Sequence, residues 1–351
     1  MDADRATGTS GLPGEFELIE RLARTLSTAA PGRSGDADPL PELVLGIGDD
    51  CAALRRGSRT DVYTTDTMVD GVHFRAGEIP WADLGWKAIA VNLSDIAAMG
   101  ARPLASLVTL GLPGDTDPRR LDEMYRGMAA ATSEYGGAVI GGDIVRSPVL
   151  FITVAMSGEA AASQDGEAAL LRRDAAQPGD RVAVTGTLGD SGGGLQALRA
   201  GLSGAAVDRL AKAHYRPRPR VRQGRLLVSR GVRAAMDVSD GLVDDLGKLC
   251  AASGTAAVVR SDRLPASDEL HDTFPDEWLS LALGGGEDYE LLFTAPSQLM
   301  ESVVTALEMP ATVIGEIVAG DGDDAGQRVA VIDADGRPVE VARGGWDHLR
   351  D

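Results

Sequence analysis

The chain is poor in lysine, cysteine, histidine and aromatic residues, and each scarcity removes a class of function. Only three of its 34 basic residues are lysine (Lys87, Lys212 and Lys248), so anion chemistry has to rest on arginine, backbone amides or bound cations. Two cysteines, Cys51 and Cys250, allow one bridge at most and read as buried reduced thiols. The four histidines form no cluster with them, so nothing resembles a zinc site. No apolar run approaches the ~18 residues a membrane span needs. The start, Met1-Asp2-Ala3-Asp4, carries no signal-peptide charge pattern, and a cytoplasmic location is expected. Bases are outnumbered, 34 against 53 acids for a net charge of −19, which repels phosphate backbones and anionic lipid. Nucleic acid and membranes are therefore excluded as partners. The common nucleotide signatures are missing as well: Gly241 to Lys248 looks like a Walker A loop, but Leu249 stands in place of the required Ser or Thr. Kinase-type GxGxxGxV and HRD sequences are absent.

What is present is ordinary globular protein with an excess of glycine. Hydrophobic residues make up 44% and charged residues 25%, outside the disordered range, and 351 residues suffice for about two domains with cores of their own. Residues 1–14 are small and polar and read as a disordered extension. Apolar spacing then predicts a helix over Glu15 to Leu26, and further helices over about Ala82 to Met99 and Pro118 to Tyr135. Strands are expected at Leu104 to Leu110, around Ala138 to Ile140, and at Leu150 to Met156. The aperiodic Ala/Ser/Gly/Asp stretch Glu159 to Ala169 marks the boundary between domains at 15–160 and 171–351. The second half repeats the rhythm, with RVAVTG and AAMDVS as strands followed by glycine turns and helices. Strands alternating with helices argue for α/β character in both halves.

Aspartates recur beside glycine at expected turns and strand ends: Asp49 and Asp50 in GIGDD, Asp66 in TTDT, Asp143 in GGD, Asp237 and Asp240 in DVSDG, and Asp288 beside Glu287 in GGGEDYE. Taken singly, each reads most simply as a turn residue or helix cap. Asp95 differs, because it lies inside the apolar helix KAIAVNLSDIAAMG with Asn92 on the same face, where an unpaired carboxylate is costly. If such acids converge, two of them 4 Å apart repel by up to roughly 4 kcal/mol at an effective dielectric of 20, so a cluster of four needs cations. Oxygen-only ligands favour Mg²⁺ or Ca²⁺. GTLGDSGGG (Gly186 to Gly194) offers either amides aimed at an anion or merely a tight turn. HYRPRPR, with Arg216, Arg218 and Arg220, reads as a loop stiffener and helix cap.

The ordered set GIGDDCA, TTDTMVDGVHF, WKAIAVNLSDIAAMGA, VIGGD, PGDRVAVTGTLGDS, HYRPRPR, MDVSDGL and GGGEDYELLF resembles the thiamine-monophosphate kinase family, within the superfamily that includes aminoimidazole ribonucleotide synthetase. The resemblance implies a two-domain α/β (α+β) fold of the aminoimidazole ribonucleotide synthetase type, with N-terminal domain sheets pairing in a homodimer. Carried over residue by residue, it implies Mg²⁺ ligands at Asp50, Thr64, Thr65, Asp66, Asp95, Asp143, Asp237 and Asp240. It implies ATP contacts at Gly142, Asp143, Arg173 and Ser239, and thiamine monophosphate contacts at His73, Glu287 and Trp346.

The implied reaction is ATP-dependent phosphorylation of thiamine monophosphate to thiamine diphosphate, by direct in-line transfer. The acceptor phosphate is mostly dianionic at pH 7, since its second pKa is about 6, so neither a general base nor a covalent nucleophile is called for. Two alternatives stay open on sequence alone: another ATP-dependent enzyme of the superfamily activating an amide or formyl oxygen, and a non-catalytic acidic nucleotide-binding protein.

Overall fold

Trp81 to Ala98 carries apolar residues on every side, and a helix of that kind is stable only inside a molecule. In the computed structural model, which describes residues 15–28, 41–162, 167–320 and 328–341, it forms an 18-residue helix of which 15 residues are buried. The expected extension 1–14 lies outside the described residues, as does Trp346. The helix α1 (Glu15–Thr28) belongs to one compact unit and Pro41–Gly345 to another. Glu15 and Glu17 in its first turn suit the helix dipole.

The larger unit opens with strands β1 (Glu42–Leu45), β2 (Ala52–Arg56) and β3 (Arg59–Val69), followed by α2 (Trp81–Ala98), β4 (Arg102–Leu112), α3 (Pro118–Tyr135), β5 (Ala138–Arg146) and β6 (Phe151–Glu159). These strands form one six-stranded sheet in the order β1-β2-β3-β6-β4-β5. A short antiparallel pair, β7 (Ala161–Ala162) with β8 (Ala168–Ala169), lies in the aperiodic stretch expected as the domain boundary.

The second half adds β9 (Arg181–Thr185), α4 (Asp190–Arg199), α5 (Ala205–Tyr215), α6 (Val221–Ser229), β10 (Ala234–Asp237), α7 (Leu242–Ser253) and β11 (Thr255–Arg260). It continues with α8 (Asp268–Thr273), α9 (Trp278–Gly284), β12 (Leu291–Ala295), α10 (Ser297–Ala306), β13 (Ala311–Ala319) and β14 (Val329–Ile332). Its strands form a second six-stranded sheet, β10-β12-β9-β13-β11-β14.

The alternating rhythm of the sequence corresponds to real crossovers, but adjacent strands are mostly antiparallel. β3 and β4 both pair antiparallel with β6, which lies between them; β12 and β13 separate β10, β9 and β11 in the same way. Among the described strands, only β4–β5 and β11–β14 pair in parallel. The fold is thus a mixed α/β, α+β arrangement in which late strands insert between the members of early crossover units.

α2 shares one core with both sheets. Val62, Val108, Leu110, Ile152, Val154 and Met156 of the first sheet and Ala183, Ala235, Leu291 and Phe293 of the second belong to the same buried cluster as Leu84, Ile89, Leu93 and Ile96. The opposite face of the second sheet, with Val182, Val184, Met236 and Leu292, packs with Leu242, Leu246 and Leu249 of α7. Burial on both faces explains why LLFTA and RVAVT read as continuous apolar runs.

Helix α2 meets α3 through reciprocal glycines. A Cβ on Gly85 would lie 1.8 Å from the Met124 carbonyl oxygen, and one on Gly127 would lie 1.8 Å from that of Ala82. Gly127→Ala is accordingly expected to destabilise the protein by about 2–3 kcal/mol through overpacking, read as a lower urea midpoint with the slope unchanged. An unaltered midpoint would contradict this helix spacing.

Candidate active site

The carboxylates of Asp50, Asp95 and Asp237 each offer an oxygen within 4.8 Å of the other two. They come from three elements of both halves: the loop before β2, the buried helix α2, and the end of β10. Each is held from the side. Thr64 of β3 donates its hydroxyl to Asp95 Oδ2, and Ser94 donates to Asp237 Oδ2 at 2.5 Å, tying α2 to the second sheet. Arg173 donates to Asp50 Oδ1, and its backbone amide donates to Asp49 Oδ2 at 3.1 Å. Asp66 adds negative potential at Asp95. Burial, then mutual repulsion, pushes the Asp95 and Asp237 carboxyls well above the usual carboxylate range, and burial with Asp50 pushes Asp49 to about 6. Asp50 Oδ2 is buried with no hydrogen-bond partner among the described residues. Oxygen-only donors, strong repulsion and an orphaned carboxylate oxygen together fit a hard divalent cation such as Mg²⁺.

A second acidic group, Asp240, Asp244 and Asp245, already contains a cation. Lys248 pairs with Asp240, lies 2.8 Å from Asp245 and 3.0 Å from Asp244. Asp245 is fully buried and its Oδ2 accepts the amides of Ser239, Asp240 and Gly241 at 2.9, 2.9 and 3.1 Å. It thereby fixes the DVSDGL loop just after Asp237.

The GGGEDYE loop is bolted to that same loop. Glu287 and Tyr289 donate their amides to Ser239 and Val238 at 2.7 and 2.8 Å, and both have left-handed backbones, φ 65° and 52°. Two such non-glycine residues in one loop signal a conformation held by its surroundings. Glu287 lies 2.9 Å from Lys87 Nζ and 3.3 Å from His214 Nδ1. Although burial acts to raise the Glu287 carboxyl, Lys87, His214 and His73 hold it below its ordinary range. Burial, followed by Glu287, Asp66, Asp237 and Asp95, pushes the Tyr289 phenol well up, so this ring lies in the field of both Glu287 and the cation-site acids. His73 Nδ1 accepts the Val69 amide at 3.0 Å, which puts the neutral ring's proton on Nε2.

Other expected residues are placed differently. Asp66 and Asp143 are not turn residues but lie within strands β3 and β5. The pleat of β3 turns Thr64 and Asp66 toward α2 and Thr65 to the opposite face, where its hydroxyl donates to Val154 O at 3.0 Å. The register Thr67–Thr153–Thr109–Asp143 puts Asp143 on that outer face too. With β6 and β4 between β3 and β5, Asp143 is about 14 Å from Thr67, at about 4.8 Å per strand. Gly142 and Asp143 are exposed on this edge strand and do not join the trio within one chain. Asp240 sits in the lysine-bound group. The amides at the start of α4 aim at an anion that is internal: Gly189 and Ser191 donate to Asp288 at 2.7 and 3.2 Å. The arginines of HYRPRPR brace the core, Arg216 lying 4.3 Å over the Trp86 ring and Arg220 clamping Glu290.

Family models for AIR synthase related proteins match this chain at residues 48–160 (N-terminal domain) and 177–326 (C-terminal domain). Thiamine-monophosphate kinase of Escherichia coli K12 is 39% identical, covering 96% of this chain and 98% of that protein; the Aquifex aeolicus kinase is 34% identical at the same coverage. The solved structure of AaThiL complexed with AMPPCP and TMP superposes with a TM-score of 0.79 at 34% identity, covering 95% of this chain and 97% of that one. The chain belongs to the AIR synthase related family, among its thiamine-monophosphate kinases. Within the fold of that family, Lys87, His214, Asp245, Lys248 and Tyr289 are the site-shaping residues that the motif reading passed over. Lys87 left a signal, as a charge among apolar residues of the most apolar helix.

A carboxyl whose pKa is raised by folding stabilises the folded protein at low pH, and that contribution is lost as pH rises through the folded value, about 6 for Asp49. A divalent cation takes the deprotonated form. Mg²⁺ is therefore expected to raise the Tm more at pH 8 than at pH 5.5 in a thermal-shift titration; equal increments would contradict a carboxylate cation site.

Proposed function

We propose that this chain transfers the γ-phosphoryl group of ATP directly and in line to the phosphate of thiamine monophosphate, giving thiamine diphosphate. The observation that carries this is the convergence of Asp50, Asp95 and Asp237 from both halves of the chain, in a member of the family whose AaThiL structure holds AMPPCP and TMP. In this reading Asp50, Thr64, Asp66, Asp95, Asp237 and Asp240 hold Mg²⁺, Arg173 and Ser239 meet ATP, and His73, Glu287 and Trp346 meet the thiamine. Mg²⁺, when bound, neutralises the phosphate charge that opposes transfer.

The chain's own groups orient rather than react. Thr64 and Ser94 aim the Asp95 and Asp237 carboxylates, Arg173 adds a fixed positive charge, and the DVSDGL and GGGEDYE loops hold their relative position through backbone hydrogen bonds. No covalent route is supported. The Cys51 thiol beside the trio is buried, and burial with four neighbouring aspartates pushes it well up, away from thiolate.

We also propose the domain division 15–160 and 171–351, supported by a family-model match that ends at residue 160 and another that begins at 177. We further propose a homodimer through the outer face of the first sheet, where Tyr63 and Leu107 are exposed by 39 and 49%, together with its edge strand β5, where Ile140 and Ile144 are exposed by 70 and 62%. Thr65, Gly142 and Asp143 lie on that face or its edge strand, so their roles toward Mg²⁺ and ATP depend on a second copy bringing it to the nucleotide. A cytoplasmic site of action is consistent with two buried, unbridged cysteines.

Incubation with ATP, Mg²⁺ and thiamine monophosphate is expected to yield thiamine diphosphate and ADP by chromatography, with free thiamine left unphosphorylated. ADP release with free thiamine at an equal or faster rate would sink the assignment. Asp66→Asn is expected to lower kcat by about 100-fold or more with the fold intact by circular dichroism; near-normal turnover at limiting Mg²⁺ would remove Asp66 from the cation site. ATP made chiral at the γ-phosphorus is expected to give inverted product, and net retention would require a phosphorylated enzyme.

A further inference from the structure

Lys87 is the largest wholly buried side chain of the described residues, 1% exposed in the middle of α2. Its Nζ lies 2.9 Å from Glu287 Oε1. The other oxygen, Oε2, faces His214 Nδ1 at 3.3 Å, and Ser191 Oγ lies 3.0 Å from that same nitrogen. Burial and the Lys87 charge push His214 down to about 4, so this ring is neutral at pH 7 and orients the carboxylate without competing for its charge. A buried ion pair is poor stabilisation compared with an apolar side chain of the same volume, and α2 is otherwise apolar at this position. The pair therefore calls for a reason other than stability.

The spacing along α2 supplies one. Lys87 and Ser94 are seven residues apart, two turns, and so share a face. Ser94 holds Asp237 at the cation end of the site and Lys87 holds Glu287 in the adjoining loop. One rigid helix thus sets the separation between the phosphate-handling carboxylates and the residue assigned to the thiamine.

We propose that Lys87 is a positioning residue for the acceptor substrate: it holds the Glu287 carboxylate at Oε1, while His214, itself met by Ser191, lies against Oε2. The proposal rests on the assignment of Glu287 to the thiamine. With its charge met inside the protein, Glu287 presents the substrate with an oriented hydrogen-bond acceptor and not with a net negative charge.

The test is a double-mutant cycle in the full-length enzyme, reading KM for thiamine monophosphate, KM for ATP, kcat and Tm. Lys87→Met is expected to raise KM for thiamine monophosphate about tenfold or more, with kcat within about threefold and KM for ATP unchanged. In a Glu287→Gln background the same change is expected to add less than about twofold, because Lys87 acts only through Glu287. Lys87→Arg, which keeps the cation, is expected to retain most of the affinity. A lower Tm with KM unchanged in Lys87→Met, or effects that multiply in the double variant, would overturn the proposal while leaving Glu287 in place. An active enzyme whose KM ignores Glu287→Gln would instead remove Glu287 from the substrate site, and this proposal with it. If Lys87→Met does not fold, the charge-balanced double variant is compared with Glu287→Gln alone: equal KM supports the proposal, and a further rise overturns it.

Discussion

A helix packed on every side leaves its polar side chains no water to fall back on, and α2 carries Lys87, Asn92, Ser94 and Asp95. Each has to find a partner in whatever element passes nearby. Three of these partners come from other parts of the chain: Glu287 for Lys87, Asp237 for Ser94 and Thr64 for Asp95. The first lies in a loop and the second at the end of β10, both in the second half, and the third on the first sheet. The requirement that satisfies a buried helix therefore also gathers the site, since the loops that answer it are the ones bearing the acids. Apolar packing of both sheets against the remaining faces of α2 makes that gathering stable.

The distribution of fixed positive charge follows the same logic. Arg173 pairs with Asp50, Lys248 with the Asp240 group and Lys87 with Glu287. The pair Asp95 and Asp237 instead receives only neutral hydroxyls from Thr64 and Ser94. A hydroxyl orients a carboxylate without cancelling its charge, and Arg173 offsets Asp237 only in part, so much of the electrostatic demand of these two acids remains for a cation arriving from outside. Where an anion is needed only to cap backbone amides, the protein supplies its own, Asp245 for the DVSDGL loop and Asp288 for α4.

Helix boundaries and the apolar strands were readable because their periodicities are strong: α3 runs from Pro118 to Tyr135 as its pattern predicts, with Asp117 accepting the Arg119 amide as the cap. Asp95 stood out because a carboxylate in an apolar helix violates local pattern. Asp66 and Asp143 did not, since a polar residue beside glycine or threonine looks like a turn until strand pairing is known. Their faces depend on register, a nonlocal property, and so did the discovery that Asp143 and Thr65 lie across the sheet from Asp66. Asp245 was hidden for a different reason: among the many acids of a chain with net charge −19, nothing local marks the one that is fully buried.

The GGGEDYE loop shows what such burial accomplishes. Left-handed backbones at Glu287 and Tyr289 cost on the order of 1–3 kcal/mol each when unsupported. They are sustained by the hydrogen bonds their amides donate to the Ser239 and Val238 carbonyl oxygens and by glycine at 286, where a Cβ would come within 2.6 Å of the Ser239 carbonyl oxygen. The close approach lets one loop lie directly on the other, so Glu287 and Asp237 are spaced by main chain rather than by flexible side chains. For a reaction whose acceptor is already an anion, catalysis is a matter of charge neutralisation and alignment, and alignment is lost with small displacements. Strain stored in a loop that cannot relax without breaking its hold on the neighbouring loop is a direct way to keep that alignment, and Lys87 closes the frame from the helix side.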